Sequence, residues 1–460
     1  MNAVRIGIDV GGTNTDAVVM DSNGSVLAWQ KVATTPGRLD GITEALTAVL
    51  TGVEGQLVNQ VMVGTTHPAD ALRSPQHLGR VGVLRIGAPA TLSVPPFTRW
   101  PAALVEPVAG PVAVIGGGHE HDGREINPLD VDAVREFARS CEGAVDSIAV
   151  IGVTSPVNTD HERRAAAIIR DHLGDEVAIT QGHEISGIGL LERENSAILN
   201  GSLITLHRTM IDGLFRILAE RGLSPDLYLT QNDGTLMSAG QAARRPVLMI
   251  GSGPTNSMRG AAHLSGLKDA IVVDVGGTST DVGLLVDGFP RISALPVEIG
   301  GVRTNYRMPD LISAGFGADS SPQPGPANVA KRLTALADRI KASRGELPLV
   351  AVGGGAHLVP DRIDGVSEVL RPESVQVANA IGAATAEASG VVDQIFVYDN
   401  STRESCLAYA RERAEEEAVL AGADPARVRI TKLIEVPLTY MAGSSARVLV
   451  QAQGPLPARM

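Results

Sequence analysis

Apolar runs of strand length alternate with segments of helical spacing along most of the chain. Val4 to Val10 is almost wholly apolar up to Asp9. A Gly11-Gly12-Thr13 turn follows, Ala17 to Met20 runs back, and Asn23-Gly24 closes the next hairpin. The same arrangement returns later: Ala270 to Val275 carries Asp274, Gly276-Gly277-Thr278 makes the turn, and Val282 to Val286 leads to Asp287-Gly288. Asp274 stands 265 residues after Asp9, so the pattern predicts two related α/β lobes.

Between and beyond these copies, Asp130 to Arg139 and His161 to Leu173 have helical spacing. Each is followed by an apolar strand-like run, Ser147 to Val153 and Val177 to Thr180. That alternation predicts α/β layers. Glu192 to Arg221 reads as a long helical stretch, with room for a break, ended by Gly222 and Ser224-Pro225; it is expected to separate the lobes. Ala327 to Arg344 and Val375 to Ser389 read as helices around a strand at Leu347 to Val352, and Arg403 to Leu420 as another helix. Lys432 to Ala452 alternates like a hairpin turning at Ala442-Gly443-Ser444, and Ser320 to Pro326 is linker-like. The organisation expected is a first lobe over 1–185, a second over 186–400, and a C-terminal helix and hairpin over 401–460.

Composition narrows the function classes. With 460 residues, 44% of them hydrophobic, the chain can bury a large core, and a net charge of −12 argues against a broad basic face for nucleic acid. No apolar run reaches the roughly 20 residues needed to span a bilayer. Cys141 and Cys406 are far apart and no apolar leader opens the chain, so a reduced, cytoplasmic setting is expected.

The duplicated turn carries the chemistry. Asp-Val-Gly-Gly-Thr between two strands presents consecutive backbone N–H groups and a hydroxyl to a phosphate, while the strand-terminal carboxylate suits Mg²⁺. This singles out Gly11, Gly12, Thr13 and Asn14 in one lobe and Gly276, Gly277, Thr278 and Ser279 in the other, with Asp9 and Asp274 as metal ligands. Asp16 and Asp281 are expected to fix their own turns. Gly353, Gly354 and Gly355 after a strand would let a base or ribose lie against backbone, and the small residues of Ala378 to Ala384 suit close helix packing. Gln231-Asn232-Asp233-Gly234 offers amide and carboxylate groups that could read a cyclic amide, or simply an Asx turn. His119 to Asp122 between glycines is expected to be a solvated loop, Glu192, Arg193 and Glu194 a solvated or inter-lobe ion-pair set, and neither cysteine has triad-like neighbours.

The two phosphate turns, the later Gly-Gly-Gly turn and the small-residue helix resemble the actin-like ATPase superfamily. Finer matches resemble the hydantoinase A/oxoprolinase family, in its short stand-alone branch. These are Gly64-Thr65-Thr66, His161-Glu162, Leu191 to Asn195, Gln231 to Thr235, Ser252 to Ser257 and Gly301 to Asp310. The resemblance implies an actin-like, ribonuclease H-like pair of α/β lobes with ATP and Mg²⁺ in the cleft, and ATP-dependent opening of a hydantoin, 5-oxoproline or related lactam. Asp9, Asp274, Asn232 and Asp233 would then be the catalytic group. A separately encoded second subunit and homo-oligomerisation are expected partners. A small-molecule kinase of the same superfamily and a non-catalytic ATP-binding subunit remain the alternatives. Two stretches depart from the family pattern. His67-Pro68-Ala69-Asp70 stands where members usually carry Ala-Thr-Asn-Ala, and Gly315 to Pro326 is contracted, poor in apolar surface, and expected to be mobile over the cleft.

Overall fold

The computed structural model describes residues 3–34, 39–51, 57–321, 325–399, 401–439 and 444–458. The chain opens with β1 (Ala3–Val10), β2 (Asn14–Met20), β3 (Val26–Ala33), α1 (Leu39–Leu50) and β4 (Leu57–Thr65), then the short α2 (His67–Arg73). It next builds a separate parallel sheet from β5 (Val81–Ala88), α3 (Ala102–Val108), β6 (Ala109–Gly116), α4 (Val131–Cys141), β7 (Ser147–Gly152), α5 (Asp160–Leu173) and β8 (Ala178–Gln181), closed by α6 (Gly182–Ile185). Helix α7 (Leu190–Glu220) leads back to β9 (Asp226–Thr230), β10 (Leu236–Ser238), α8 (Ala239–Ala242) and α9 (Ser252–Ser265).

The second half begins with β11 (Ala270–Val275), β12 (Thr280–Val286), β13 (Phe289–Pro290), the hairpin β14 (Val297–Ile299) and β15 (Val302–Thr304), and β16 (Leu311–Ala314). It continues through α10 (Pro326–Ile340), β17 (Leu347–Val352), β18 (Val366–Leu370) and α11 (Ala378–Thr385). The last part is β19 (Ala388–Val397), α12 (Arg403–Leu420), β20 (Arg429–Pro437) and β21 (Ser445–Gly454).

The duplication seen in the sequence is a duplication of topology. The order β3-β2-β1-β4-β9 recurs as β13-β12-β11-β17-β18, each with an antiparallel hairpin on one side of the central strand and parallel strands on the other. Beyond β9 the first sheet continues through β10, β19, β21 and β20, so the C-terminal segment completes a nine-stranded sheet. The stretch 1–185 therefore holds two sheets rather than one. The reason is long-range: β4 pairs with β9, and the four-stranded insert β5–β8 lies between them in the chain.

Burial explains the layers. The strands β1 and β4 are apolar almost throughout because both faces are covered. Ile211, Leu214, Ile217 and Leu218 of α7 pack on one face of the first sheet, while Ala380, Ile381 and Ala384 of α11 pack with Val18 and Met20. The other end of α7 gives Ala197, Ile198, Leu199 and Leu203 to the core beneath the insert sheet. This helix is unbroken, because both ends find apolar partners. Helix α11 is shorter than its sequence pattern predicts: Val375–Val377 is a 3₁₀ turn and Ala388 already belongs to β19. Ala442 and Gly443 of the predicted hairpin turn lie outside the described residues.

Candidate active site

The two Gly-Gly-Thr turns have the same internal geometry. Gly11 N–H donates to Asn14 O at 2.9 Å, and Gly276 N–H donates to Ser279 O, also at 2.9 Å. The turn carbonyls are tied down by neighbouring segments. Thr34 reaches Thr13 O (2.8 Å) and Gly11 O (3.0 Å), while the N–H groups of Ala318 and Asp319 reach Gly276 O (2.9 Å) and Gly277 O (2.7 Å). Among the described residues, the N–H groups of Gly12, Thr13, Gly277 and Thr278 donate to no backbone carbonyl, which leaves them for an anion. The turns face each other: a side-chain carbon on Gly277 would stand 3.6 Å from Thr13 Oγ1. None of the four turn glycines has a left-handed backbone, so close approach and not unusual φ is what glycine supplies here.

Beneath each turn lies a carboxylate, Asp9 buried and Asp274 partly buried. Asp9 accepts from Asn256 Nδ2 (2.8 Å) and Asn379 Nδ2 (3.0 Å), and Asn379 also bridges to Asp16 Oδ2 at 2.8 Å. Burial pushes Asp9 up to about 7, and the like charges of Asp16 and Asp274 add to that. Asp274 is pushed up to about 6, again mainly by burial, against a hydrogen bond from Ser257. Asp16, opposite Asp9 in register, is paired with Lys31 at 2.5 Å; Asp281, opposite Asp274, is hydrogen-bonded by Ser313. These contacts run to β3, α11 and β16 rather than to the turns that the sequence pattern expects Asp16 and Asp281 to fix.

Gly353 has φ +86° and passes directly beside Asp274; its N–H donates to Val375 O and that of Gly355 to Val275 O, both at 2.9 Å. Gly354 faces open space. The inter-lobe helices α9 and α11 touch backbone to backbone, with Gly382 against Asn256 O, and this contact delivers Asn256 and Asn379 to Asp9.

Asn232 and Asp233 line a cavity with Gln231, Gln241, Arg245 and Arg307, and both are also held by internal bonds. Asn232 Nδ2 donates to Val247 O (3.0 Å) and its Oδ1 accepts Gly251 N–H (2.7 Å), so its amide is committed to backbone on both sides. Asp233 accepts from Thr235 N–H (3.1 Å) and Gln451 Nε2 (3.2 Å) and lies 3.5 Å from Arg307. None of these bonds reaches Asp9, Asp274 or either turn.

Three further expectations are corrected. Glu194 and Arg193 are buried: Arg85 makes a two-pronged ion pair to Glu194 (2.7 and 2.5 Å), and Arg193 donates to Gly152 O at 2.7 Å. His119 is buried against His161, with ring centroids 4.2 Å apart, and Glu125 and Asp160 complete a four-residue cluster. Gly118 N–H enters His161 Nδ1 at 2.9 Å, which places the ring proton on Nε2 toward Glu125 (3.0 Å) and disfavours a metal at that nitrogen. Finally, Phe316 is buried in the second lobe's core and Gly317 to Ser320 folds onto the second turn, so this part of the contracted segment is anchored. Pro322 to Pro324 lie outside the described residues.

Two lobes of one topology, each carrying an aspartate near the end of its central strand and a phosphate-type turn after it, define the two-lobed actin-like ATPase fold. The chain belongs to the hydantoinase/oxoprolinase family: the model of its N-terminal region matches residues 5–173 and that of the hydantoinase/oxoprolinase domain matches 193–324. It is 28% identical over 326 residues to the caprolactamase subunit alpha of Pseudomonas jessenii, covering 63% of this chain and 44% of that protein. It is 25% identical over 359 residues to the acetone carboxylase beta subunit of Xanthobacter autotrophicus, covering 69% and 48%. The chain spans less than half the length of these curated relatives. The solved ATP-dependent caprolactamase of Pseudomonas jessenii superposes with a TM-score of 0.79 at 18% identity over 99% of this chain and 89% of that one; nucleotide-free acetone carboxylase gives 0.67 at 16% identity over 99% and 88%.

Proposed function

We propose that the protein uses ATP to activate the carbonyl of a cyclic amide, by transfer of the γ-phosphoryl group to the amide oxygen, so that water can open the ring. The observation that carries this reading is the pair of facing phosphate-type turns with Asp9 and Asp274 beneath them. Phosphoryl transfer asks a protein mainly for positioning and charge neutralisation, and free N–H groups from two lobes supply the first. An amide carbonyl is a poor electrophile; phosphorylating its oxygen turns that oxygen into a leaving group.

Asp9 and Asp274 fit a divalent cation. Asp9 is buried and Asp274 partly so, both are raised in pKa with only neutral donors on their oxygens, and each occupies space that a side chain on a neighbouring glycine would fill. Bound there, Mg²⁺ would neutralise charge on the transferring phosphate. Thr13 and Thr278 would add hydroxyls to the turns, and Gly353 to Gly355 would lie against the nucleoside. The relatives named as subunits support a second subunit as partner.

Phosphate release measured across a panel of lactams and hydantoins, with and without co-purifying proteins, tests the proposal. Lactam-stimulated phosphate release with a ring-opened product is expected. A stable phosphorylated product would make the protein a small-molecule kinase, and nucleotide binding with no release under any condition would make it a non-catalytic subunit.

A further inference from the structure

Four residues lie in register across the first lobe's sheet: Lys31 of β3 opposite Asp16 of β2, Asp16 opposite Asp9 of β1, and Asp9 opposite Gly64 of β4. Opposed residues of paired antiparallel strands put their side chains on one face, so Lys31, Asp16 and Asp9 form a single row. The second lobe repeats the carboxylates without the cation. There Asp281 is opposite Asp274, Ser313 of β16 is opposite Asp281, and the Ser313 hydroxyl is the donor.

Short bonds tie the first row together. Lys31 Nζ donates to Asp16 Oδ2 at 2.7 Å and lies 2.5 Å from Oδ1. Asn379 of α11 spends its amide nitrogen on both carboxylates, donating to Asp16 Oδ2 at 2.8 Å and to Asp9 Oδ2 at 3.0 Å, while its Oδ1 accepts Ala380 N–H at 2.9 Å. The reversed amide would aim its oxygen at two carboxylates, so the network fixes its orientation. The Asp16 side chain is 2% exposed, whereas that of Lys31, on the edge strand, is 28% exposed and reaches in to it. A carboxylate so deep is tolerated when it is paired and hydrogen-bonded, and Lys31 supplies the opposite charge.

Charge then decides where a divalent cation can sit. Asp9 and Asp16 are two carboxylates joined by one amide, and without Lys31 they would offer a cation oxygens from both. With Lys31 in place Asp16 is already paired, and Asp9 alone keeps only neutral donors. We propose that Lys31 is a positioning residue, which holds Asp16 in an ion pair of no net charge and so reserves Asp9 as the first lobe's metal ligand. The duplicated turns are therefore electrically unequal, since among the described residues only a neutral hydroxyl bonds Asp281. This inference rests on the proposed function for a metal at Asp9, but not for the opening of a lactam.

Mn²⁺ binding to the nucleotide-free full chain, read by electron paramagnetic resonance of the free ion, tests it, and the binding lost in Asp9→Asn marks this site. Lys31→Met should bind Mn²⁺ at least fivefold more tightly than wild type, because the row gains a negative charge close to the ion. Asp16→Asn, which leaves the lysine's charge unmatched, should bind at least fivefold more weakly. Lys31→Met combined with Asp16→Asn, neutral like the natural pair, should return to within twofold of wild type, and Lys31→Arg should match it. A purely structural role would not move affinity in opposite directions. Unchanged or weaker binding in Lys31→Met, a double variant that behaves like Lys31→Met, or no Mn²⁺ binding by any of these proteins overturns the assignment. If melting shows Lys31→Met to be misfolded, Asp16→Asn decides, and wild-type affinity there overturns it. None of these measurements needs a lactam, so absence of lactam-stimulated phosphate release would overturn the proposed function and leave the role of Lys31 standing.

Discussion

Gly64 faces Asp9 in register across β4 and β1, and a methyl group on it would lie 2.3 Å from Asp9 Oδ1 and 2.0 Å from Asn256 Nδ2. In the second lobe Asp274 is opposite Val352 in register, and it is the next residue, Gly353, whose added carbon would lie 2.3 Å from Asp274 Oδ1. Each carboxylate has its place because a glycine, within β4 or just after β17, leaves room beside it. Gly64→Ala should therefore cost about 1–3 kcal/mol of stability as an overpacking change. Denaturant unfolding checks it, and a variant as stable as wild type would contradict the tight fit.

Gly12 offers a contrasting test, since nothing lies within 4 Å of a carbon placed there and its backbone is not left-handed. Gly12→Val should leave stability within about 0.5 kcal/mol while reducing ATP affinity at least tenfold by calorimetry. At Gly277 the added carbon would fall 2.5 Å from Oδ2 of the exposed Asp319, a side-chain end that can swing away, so Gly277→Val should likewise lose affinity. Wild-type-like ATP binding by Gly12→Val would remove the first turn from the phosphate site.

Asp9 and Asp274 have folded pKa values above the ordinary carboxylate range, near 7 and near 6. Between about pH 4 and 7 the folded state thus holds more protons than the unfolded one, and stability in the absence of ligand should fall as pH rises through that window. Asp9→Asn should flatten the slope. Magnesium-ATP binding near pH 6.5 should release protons, which appears as a dependence of calorimetric heat on the buffer's ionisation enthalpy. A stability profile rising from pH 5 to 7.5 would refute the assignment.

If the two aspartates organise the metal and the transferring group, charge removal should affect rate more than affinity. Asp9→Asn and Asp274→Asn are expected to bind ATP within about tenfold of wild type while losing at least 100-fold in phosphate release, the pattern of groups that act in the transition state. Equal losses in both measurements would make them binding groups only.

Phe316 fastens the contracted segment to the second lobe. Phe316→Ala should cost about 3–5 kcal/mol and speed amide exchange at Ala318 and Asp319, whose N–H groups hold the carbonyls of Gly276 and Gly277. Unchanged protection at those two amides would show that the turn does not depend on this anchor.

The two phosphate turns were legible in the sequence because each is local and the chain writes it twice. The α7, α10 and α12 helices were legible from spacing, and the strands flanking the turns from continuous apolar runs. What the sequence hid was set by distant partners. Glu194 looks like a surface charge until Arg85, 109 residues earlier, is placed against it. Helix α9 begins Ser-Gly-Pro-Thr-Asn-Ser, whose Gly and Pro give no helical spacing, and is helical where it packs on α11. The insert sheet was hidden because β4 pairs with a strand more than 160 residues away. Phe316 gave one aromatic in a glycine-rich stretch, too little to show an anchor.

Helix α7 has a mechanical consequence. Its 31 residues contain no proline and extend roughly 45 Å at about 1.5 Å per residue, clamped into the insert's core at one end and the first lobe's at the other. It acts as a stiff beam joining two bodies. Leu206, Met210 and Leu214, which line a cavity by the first turn, sit partway along it, while Asn195 near its start donates to Arg303 O of the β15 hairpin at 2.9 Å. One rigid element thus joins the cavity wall beside the first turn, the β15 hairpin and the insert's core.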